Sequence, residues 1–145
     1  MKSIKKNLKV SIIGGAGHIG LPLGLLLKNK EVDVTLIDID KKNINKIKNK
    51  KMPFYENGAQ NLLNKGIKIT NNLKTIRKSD IIIVCIGTPV DEYFNPKLEP
   101  FFVLIKDLKK YITPNQTVII RSSVYPQTCK KIVQILHKNI AYCPE

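Results

Sequence analysis

Apolar runs alternate with segments in which isoleucine or leucine recurs every three or four positions. That alternation predicts strands and helices in turn. Leu8–Ile13 reads as a buried strand and Val32–Ile37 as a second one. Between them, Ile19–Lys28 reads as a helix with Ile19, Leu23, Leu26 and Leu27 on its apolar side. Lys41–Lys50 has Ile44 and Ile47 among lysines and asparagines, the mark of a solvated helix with a narrow apolar stripe. A short helix is expected at Ala59–Lys65, a third strand at Ile67–Thr70 and one or two helical turns at Leu73–Lys78. Ile81–Ile86 is apolar on both faces, as a central parallel strand should be, and would bury Cys85. Helix, strand, helix and strand follow at Pro100–Tyr111, Thr117–Arg121, Pro126–Lys138 and Ile140–Tyr142, with Pro126 suited to a first helical turn. The longest loop is Gly87–Pro100. Strands alternating with helices mean βαβ units, hence an α/β class with a parallel sheet of about six strands and helices on both faces.

Length and composition fit one domain over residues 1–145, with 43% hydrophobic and 25% charged residues. The longest strictly apolar run, Ile81–Ile86, is too short to span a bilayer, so no membrane is expected. The lysine-rich start leads into Val10–Ile13, which is too short for the apolar core of a signal peptide. Three cysteines (Cys85, Cys129, Cys143) without CxxC spacing make neither a disulfide framework nor a zinc site. A reducing cytoplasm is the expected location.

The formal net charge of +14 invites a nucleic-acid reading. The excess, however, is 23 Lys against 2 Arg, alongside 22 Ile and 13 Asn, the mixture an AT-rich genome produces. Arginine, the better phosphate fork and base reader, is nearly absent, and the lysines are spread along the chain. Nucleic acid is therefore not expected as a partner.

The candidate chemistry lies in the turn Gly15-Ala16-Gly17-His18-Ile19-Gly20, a GxGxxG that follows a strand and opens a helix. Asp38 ends the next strand, 18 residues after Gly20. In a dinucleotide-binding, doubly wound (Rossmann-type) fold, Gly15 permits the tight turn. Gly17 lets a pyrophosphate approach the backbone, and Gly20 lets the helix pack close to the strand. The helix N-terminus then offers free N–H groups and partial positive charge to the phosphates. Asp38 would hold a ribose diol and repel a 2′-phosphate, by roughly 4 kcal/mol for unit charges about 4 Å apart at an effective dielectric near 20. NAD is therefore the expected cofactor, in preference to NADP.

Gly87-Thr88-Pro89 follows Ile81–Ile86, at the point where strand order reverses in such a sheet. Glycine there permits close approach, and Thr88 offers a hydroxyl. Ser122-Ser123 follows the next strand; spacing alone favours a helix cap over a ligand contact. His18 sits where residues pack beside the cofactor, with catalysis the less favoured reading. Cys143 has no thiolate-stabilising neighbour in the sequence.

Six blocks together resemble the NAD-binding domain of the UDP-glucose / UDP-N-acetylhexosamine 6-dehydrogenase family, over essentially the whole chain. They are the glycine turn continuing through Leu21-Pro22, Ile37-Asp38-Ile39-Asp40, and Pro53-Phe54-Tyr55-Glu56-Asn57-Gly58 with Asn57 where the family has proline. The other three are Ile86-Gly87-Thr88-Pro89, Ser122-Ser123-Val124 continuing to Thr128, and Tyr142-Cys143-Pro144-Glu145. The resemblance implies that Gly15, Gly17, Ile19, Asp38, Thr88 and Ser123 contact NAD or its surroundings. Ser123 would stand where a family threonine positions a catalytic water. Tyr125 and Gln127 depart from the family's proline-rich loop. Glu145 would be the family's acid/base glutamate.

The family oxidises C6 of a UDP-sugar to a carboxylate by two hydride transfers to NAD, through a cysteine and a lysine in central and C-terminal domains. None of Cys85, Cys129 or Cys143 matches that nucleophile, so the chain is expected to be the cofactor half and inactive alone. The UDP-sugar would bind through the other domains, and the full-length family protein would be a homodimer. Cys143–Glu145 and Asp91-Glu92 followed by Asn95-Pro96-Lys97-Leu98 lean toward the N-acetylhexosamine branch, and the Pro53–Glu56 block toward glucose. The former is slightly favoured. The alternative is a stand-alone NAD-sensing module.

Overall fold

The computed structural model describes residues 8–88, 92, 97–136 and 139–144. Six strands form one parallel sheet in the order β3-β2-β1-β4-β5-β6: β1 (Lys9–Ile13), β2 (Asp33–Ile37), β3 (Lys68–Thr70), β4 (Ile81–Val84), β5 (Thr117–Ile120) and β6 (Asn139–Tyr142). The helices are α1 (Gly20–Asn29), α2 (Lys41–Lys48), α3 (Ala59–Asn64), α4 (Glu99–Lys109) and α5 (Pro126–Leu136), with a 3-10 helix at Leu73–Lys78. This is the expected α/β, doubly wound architecture. Half of the predicted loop Gly87–Pro100, residues 89–91 and 93–96, lies outside the described residues, and its last two positions, Glu99 and Pro100, belong to α4.

Alternation along the strands divides the core in two. Val10, Ile12, Val34 and Leu36 pack with Leu21, Leu25 and Leu63 on one face. Ile13, Ile37, Ile82, Val84, Val118 and Ile120 join Phe101, Ile105, Leu108 and Ile132 on the other. Each cluster is apolar area removed from water, the main favourable term for a domain of this size.

Two helices are set by recognisable signals. Asp40 caps α2, accepting from the N–H groups of Lys42 at 2.9 Å and Asn43 at 3.1 Å, and Ile44 and Ile47 are buried as the stripe implies. In α1 the expected apolar side is wrong. Gly20, Leu21, Gly24 and Leu25 are buried, whereas Leu26 is 58% exposed and Ile19 36%. Leucines surround this helix, so they do not say which side faces the sheet. The glycines do: a Cβ on Gly24 would lie 2.6 Å from Leu36 Cδ2, so the helix comes closest to β2 there.

Cys85 is also not within β4. The strand ends at Val84, and Cys85 is half-buried beyond it, its N–H donating to the Ile13 carbonyl at 2.8 Å as the chain turns away.

Candidate functional site

The loop after β1 is stapled to β2. The N–H groups of Gly14 and Gly15 both donate to the Ile37 carbonyl, at 3.0 and 3.1 Å. The left-handed turn conformation belongs to Gly14, with φ +77°, and not to Gly15 as expected. A Cβ on Gly14 would lie 2.7 Å from the Cys85 carbonyl oxygen. Gly15 is needed for a different reason: its Cβ would meet Leu36 Cβ at 2.7 Å. At Gly20 a Cβ would run into the Gly14 carbonyl oxygen, so this glycine does set the close packing of helix on loop. Gly14 was missed because GxGxxG starts one residue later; the doubled glycine was the available signal.

Gly17 is different. A Cβ there would have only the Gly14 carbonyl oxygen close by, at 3.3 Å, so the space above it is open. Ile19 precedes α1 without a side-chain cap, and no acidic residue stands in the first turn. The positive end of the helix is thus left for an anion.

Asp38 lies beside this loop at the carboxyl end of β2. Its Oδ2 accepts the Ala16 N–H at 2.8 Å, and its Oδ1 accepts the Asp40 N–H at 3.0 Å. A carboxylate has about four acceptor positions, so both oxygens keep capacity for a diol.

On the other side of β1 an open cleft of about 560 Å³ begins at Gly17, His18 and Ile19 and runs past Cys85–Thr88 to Arg121–Ser123. Of the expected site residues, it gathers Gly17, His18, Ile19, Gly87, Thr88 and Ser123. Gly15, Gly20 and Asp38 are not among its lining residues. Pro89 and Glu145 lie outside the described residues. Thr88 Oγ1 donates to the Ser123 carbonyl at 3.0 Å, joining two of the loops.

Ser122 does not cap α5, which starts at Pro126. It is buried, and its hydroxyl donates to the Ile86 carbonyl at 2.7 Å, bracing one loop against the next. The exposed His18 ring stacks on Phe54, with centroids 4.0 Å apart and an interplanar angle of 22°.

Arg121 was read only as the end of a strand, yet it lines the cleft, and its Nη1 donates toward Cys143 Sγ at 3.7 Å. Its place just past the carboxyl end of β5 was the available signal. Cys143 is exposed, while burial raises the Cys129 thiol pKa on α5. No three potential metal-ligating side chains gather among the described residues, and no described helix is long and apolar enough to cross a membrane.

Residues 8–145 match the family model of the UDP-glucose/GDP-mannose dehydrogenase family, NAD binding domain. The chain is 34% identical over 152 aligned positions to a UDP-N-acetyl-D-mannosamine dehydrogenase of Methanococcus vannielii, covering 99% of this chain and 36% of that protein. It is 28% identical to a UDP-glucose 6-dehydrogenase of Rickettsia prowazekii, covering 90% and 33% respectively. The solved structure of a UDP-D-ManNAc dehydrogenase from Pyrococcus horikoshii has the same fold, with TM-score 0.85 at 23% identity over 95% of this chain and 36% of that one. The chain thus spans about a third of the length of these relatives.

Proposed function

The chain belongs to the UDP-glucose/GDP-mannose dehydrogenase family, carrying its NAD-binding domain, and from that premise we propose that it holds the cofactor while C6 of a UDP-sugar is oxidised to a carboxylate. The observation that carries the reading is the uncapped start of α1 beneath the open Gly17 position, with Asp38 alongside. Gly17, Ile19 and the first turn of α1 would take the pyrophosphate. Asp38 would take the adenine ribose, and Gly87, Thr88 and Ser123 would border the nicotinamide. Bound NAD supplies the hydride acceptor. The chain's part is to bind it, orient it and, at Ser123 and Glu145, hold water and protons.

UDP-N-acetylhexosamine is favoured over UDP-glucose as substrate. The name of the M. vannielii relative supports this, and the Cys143–Glu145 block agrees. The two-step oxidation, a cytoplasmic location, homodimer formation and the lack of nucleic-acid or membrane partners belong to the same proposal. So does a division of labour with substrate-binding domains, since none of the three cysteines matches the family's nucleophile.

Calorimetric titration of the 145-residue polypeptide should give tighter binding of NAD(H) than of NADP(H), with Asp38→Asn narrowing the gap. Equal or tighter NADP(H) binding by the unaltered chain would count against the Asp38 assignment. In an NADH absorbance assay with UDP-N-acetylmannosamine or UDP-glucose, the polypeptide alone should show no turnover. A thiolate is needed to trap the aldehyde before the second hydride leaves. Sustained turnover would mean that one of the three cysteines is the nucleophile after all.

A further inference from the structure

The loop that carries Ser123 is gripped from two sides. Thr88 holds it from β4, through the Ser123 carbonyl. The second grip comes from β6. Parallel pairing sets Tyr142 opposite Ile120, at the end of β5. From there the phenol oxygen donates to the Val124 carbonyl at 2.6 Å and accepts the Val124 N–H at 3.3 Å. One hydroxyl thus satisfies both backbone groups of a buried residue in the connection between β5 and α5.

The ring's packing does not depend on this bond. Tyr142 is 43% exposed, and a phenylalanine would fill the same space. What the hydroxyl fixes is the course of the backbone next to Ser123. The sheet order sets that place apart from Asp38. β5 and β6 lie on the β4 side of β1, whereas Asp38 stands at the end of β2, on the other side. A dinucleotide laid across the crevice therefore meets Asp38 with its adenosine half and the Tyr142-held loop with its nicotinamide half.

We infer that Tyr142 is a positioning residue for the nicotinamide half of the cofactor, acting through Val124 and Ser123, and plays no part in holding the adenosine half. This rests on the cofactor placement argued above.

The test is to titrate NAD+ and ADP-ribose, which lacks nicotinamide, into the unaltered chain and into Tyr142→Phe. NAD+ should bind about threefold to tenfold more weakly to the variant, the scale of one hydrogen bond, while ADP-ribose binding stays unchanged. A general loosening of the fold would weaken both ligands together. A second readout needs no variant: in the unaltered chain, hydrogen exchange at the Val124 N–H should slow on adding NAD+ and stay unchanged on adding ADP-ribose, and equal slowing by both would overturn the inference. Equal weakening of both ligands in a folded variant, or no weakening of NAD+, overturns the inference. Failure of the unaltered chain to bind even ADP-ribose overturns the cofactor placement and the inference with it.

Discussion

A single methyl group separates the glycines of the first loop by consequence. At Gly17 it meets one carbonyl oxygen at 3.3 Å, a contact small shifts relieve. At Gly20 it meets backbone that cannot move without the loop, and at Gly14 it adds the strain of φ +77°. Gly17→Ala should therefore melt within a few degrees of the unaltered chain, and Gly17→Val should fold yet lose NAD. Gly20→Ala should lose at least about 1–3 kcal/mol of stability, on the scale of overpacking. Thermal melts paired with calorimetry separate the two outcomes. A Gly17→Val variant that folds and keeps its affinity would show that this turn does not hold the pyrophosphate. At this scale the sequence was legible where chain order fixes a residue's place, as with Asp38 beside the glycine turn. It was illegible where the use depends on a neighbour far along the chain. Gly14 is explained by Cys85, and the fit of Gly15 by Leu36.

Elements add what single residues do not show. Ser122 was expected to serve the helix that follows it, the commonest use of a serine after a strand. Instead it serves the loop of the neighbouring strand, through Ile86. Ser122→Ala leaves that carbonyl without its partner and should cost about 1–3 kcal/mol in chemical denaturation. An unchanged midpoint would mean the brace is idle. Opposite α1, β1–β3 set Ser11, Thr35 and Lys68 in register on a face that turns apolar only at its carboxyl end, at Ile13 and Ile37, and the 3-10 helix lies over part of it. Ser11 is fully buried there, in a 2.6 Å contact with the Ser79 hydroxyl. Apolar runs made these strands legible, but the expected strand at β4 ran two residues too far because apolar residues continue past the ladder.

On the same face, Lys68 pairs with Asp33 at 2.8 Å and holds the carboxyl below its ordinary value of 3.8, mainly by that hydrogen bond. A lowered folded-state pKa means the contribution is complete above the ordinary value and fades as pH falls through the lowered one. With the side chains 43% and 68% exposed, the pair contributes well under about 1 kcal/mol. Asp33→Asn should therefore melt slightly lower at neutral pH and at low salt, and the difference should vanish in acid. A gap that persists in acid would assign the effect to something other than this ion pair.

At the scale of the molecule, the fold was legible because every level agreed. Apolar runs, helical spacing and a glycine turn between the first strand and helix all point to one parallel sheet. Orientation was not legible: the sequence does not say which leucines of α1 turn inward, nor that Tyr142 reaches back over the end of β5. Both follow only from how strands line up side by side.

The strand order also sets how the chain can be assembled. β1, β2 and β3 are consecutive in sequence, as are β4, β5 and β6, so each half of the sheet is local to its own stretch of chain. Within the sheet they meet at the β1–β4 seam, with Val10 against Ile81 and Ile13 against Val84, and one core cluster packs Ile13 and Ile37 against the back half. Emerging N-terminus first, the front half can complete its pairings while the back half has yet to appear. The loop carrying Gly17 is present from the outset, but the wall opposite it arrives last. A dinucleotide lying across the seam touches both halves, so it would brake their separation more than the fraying of either outer edge. NAD should therefore slow global unfolding, read as a longer half-life of the native chain in denaturant with the dinucleotide than without it, and an unchanged half-life would mean that the seam is not what gives way first.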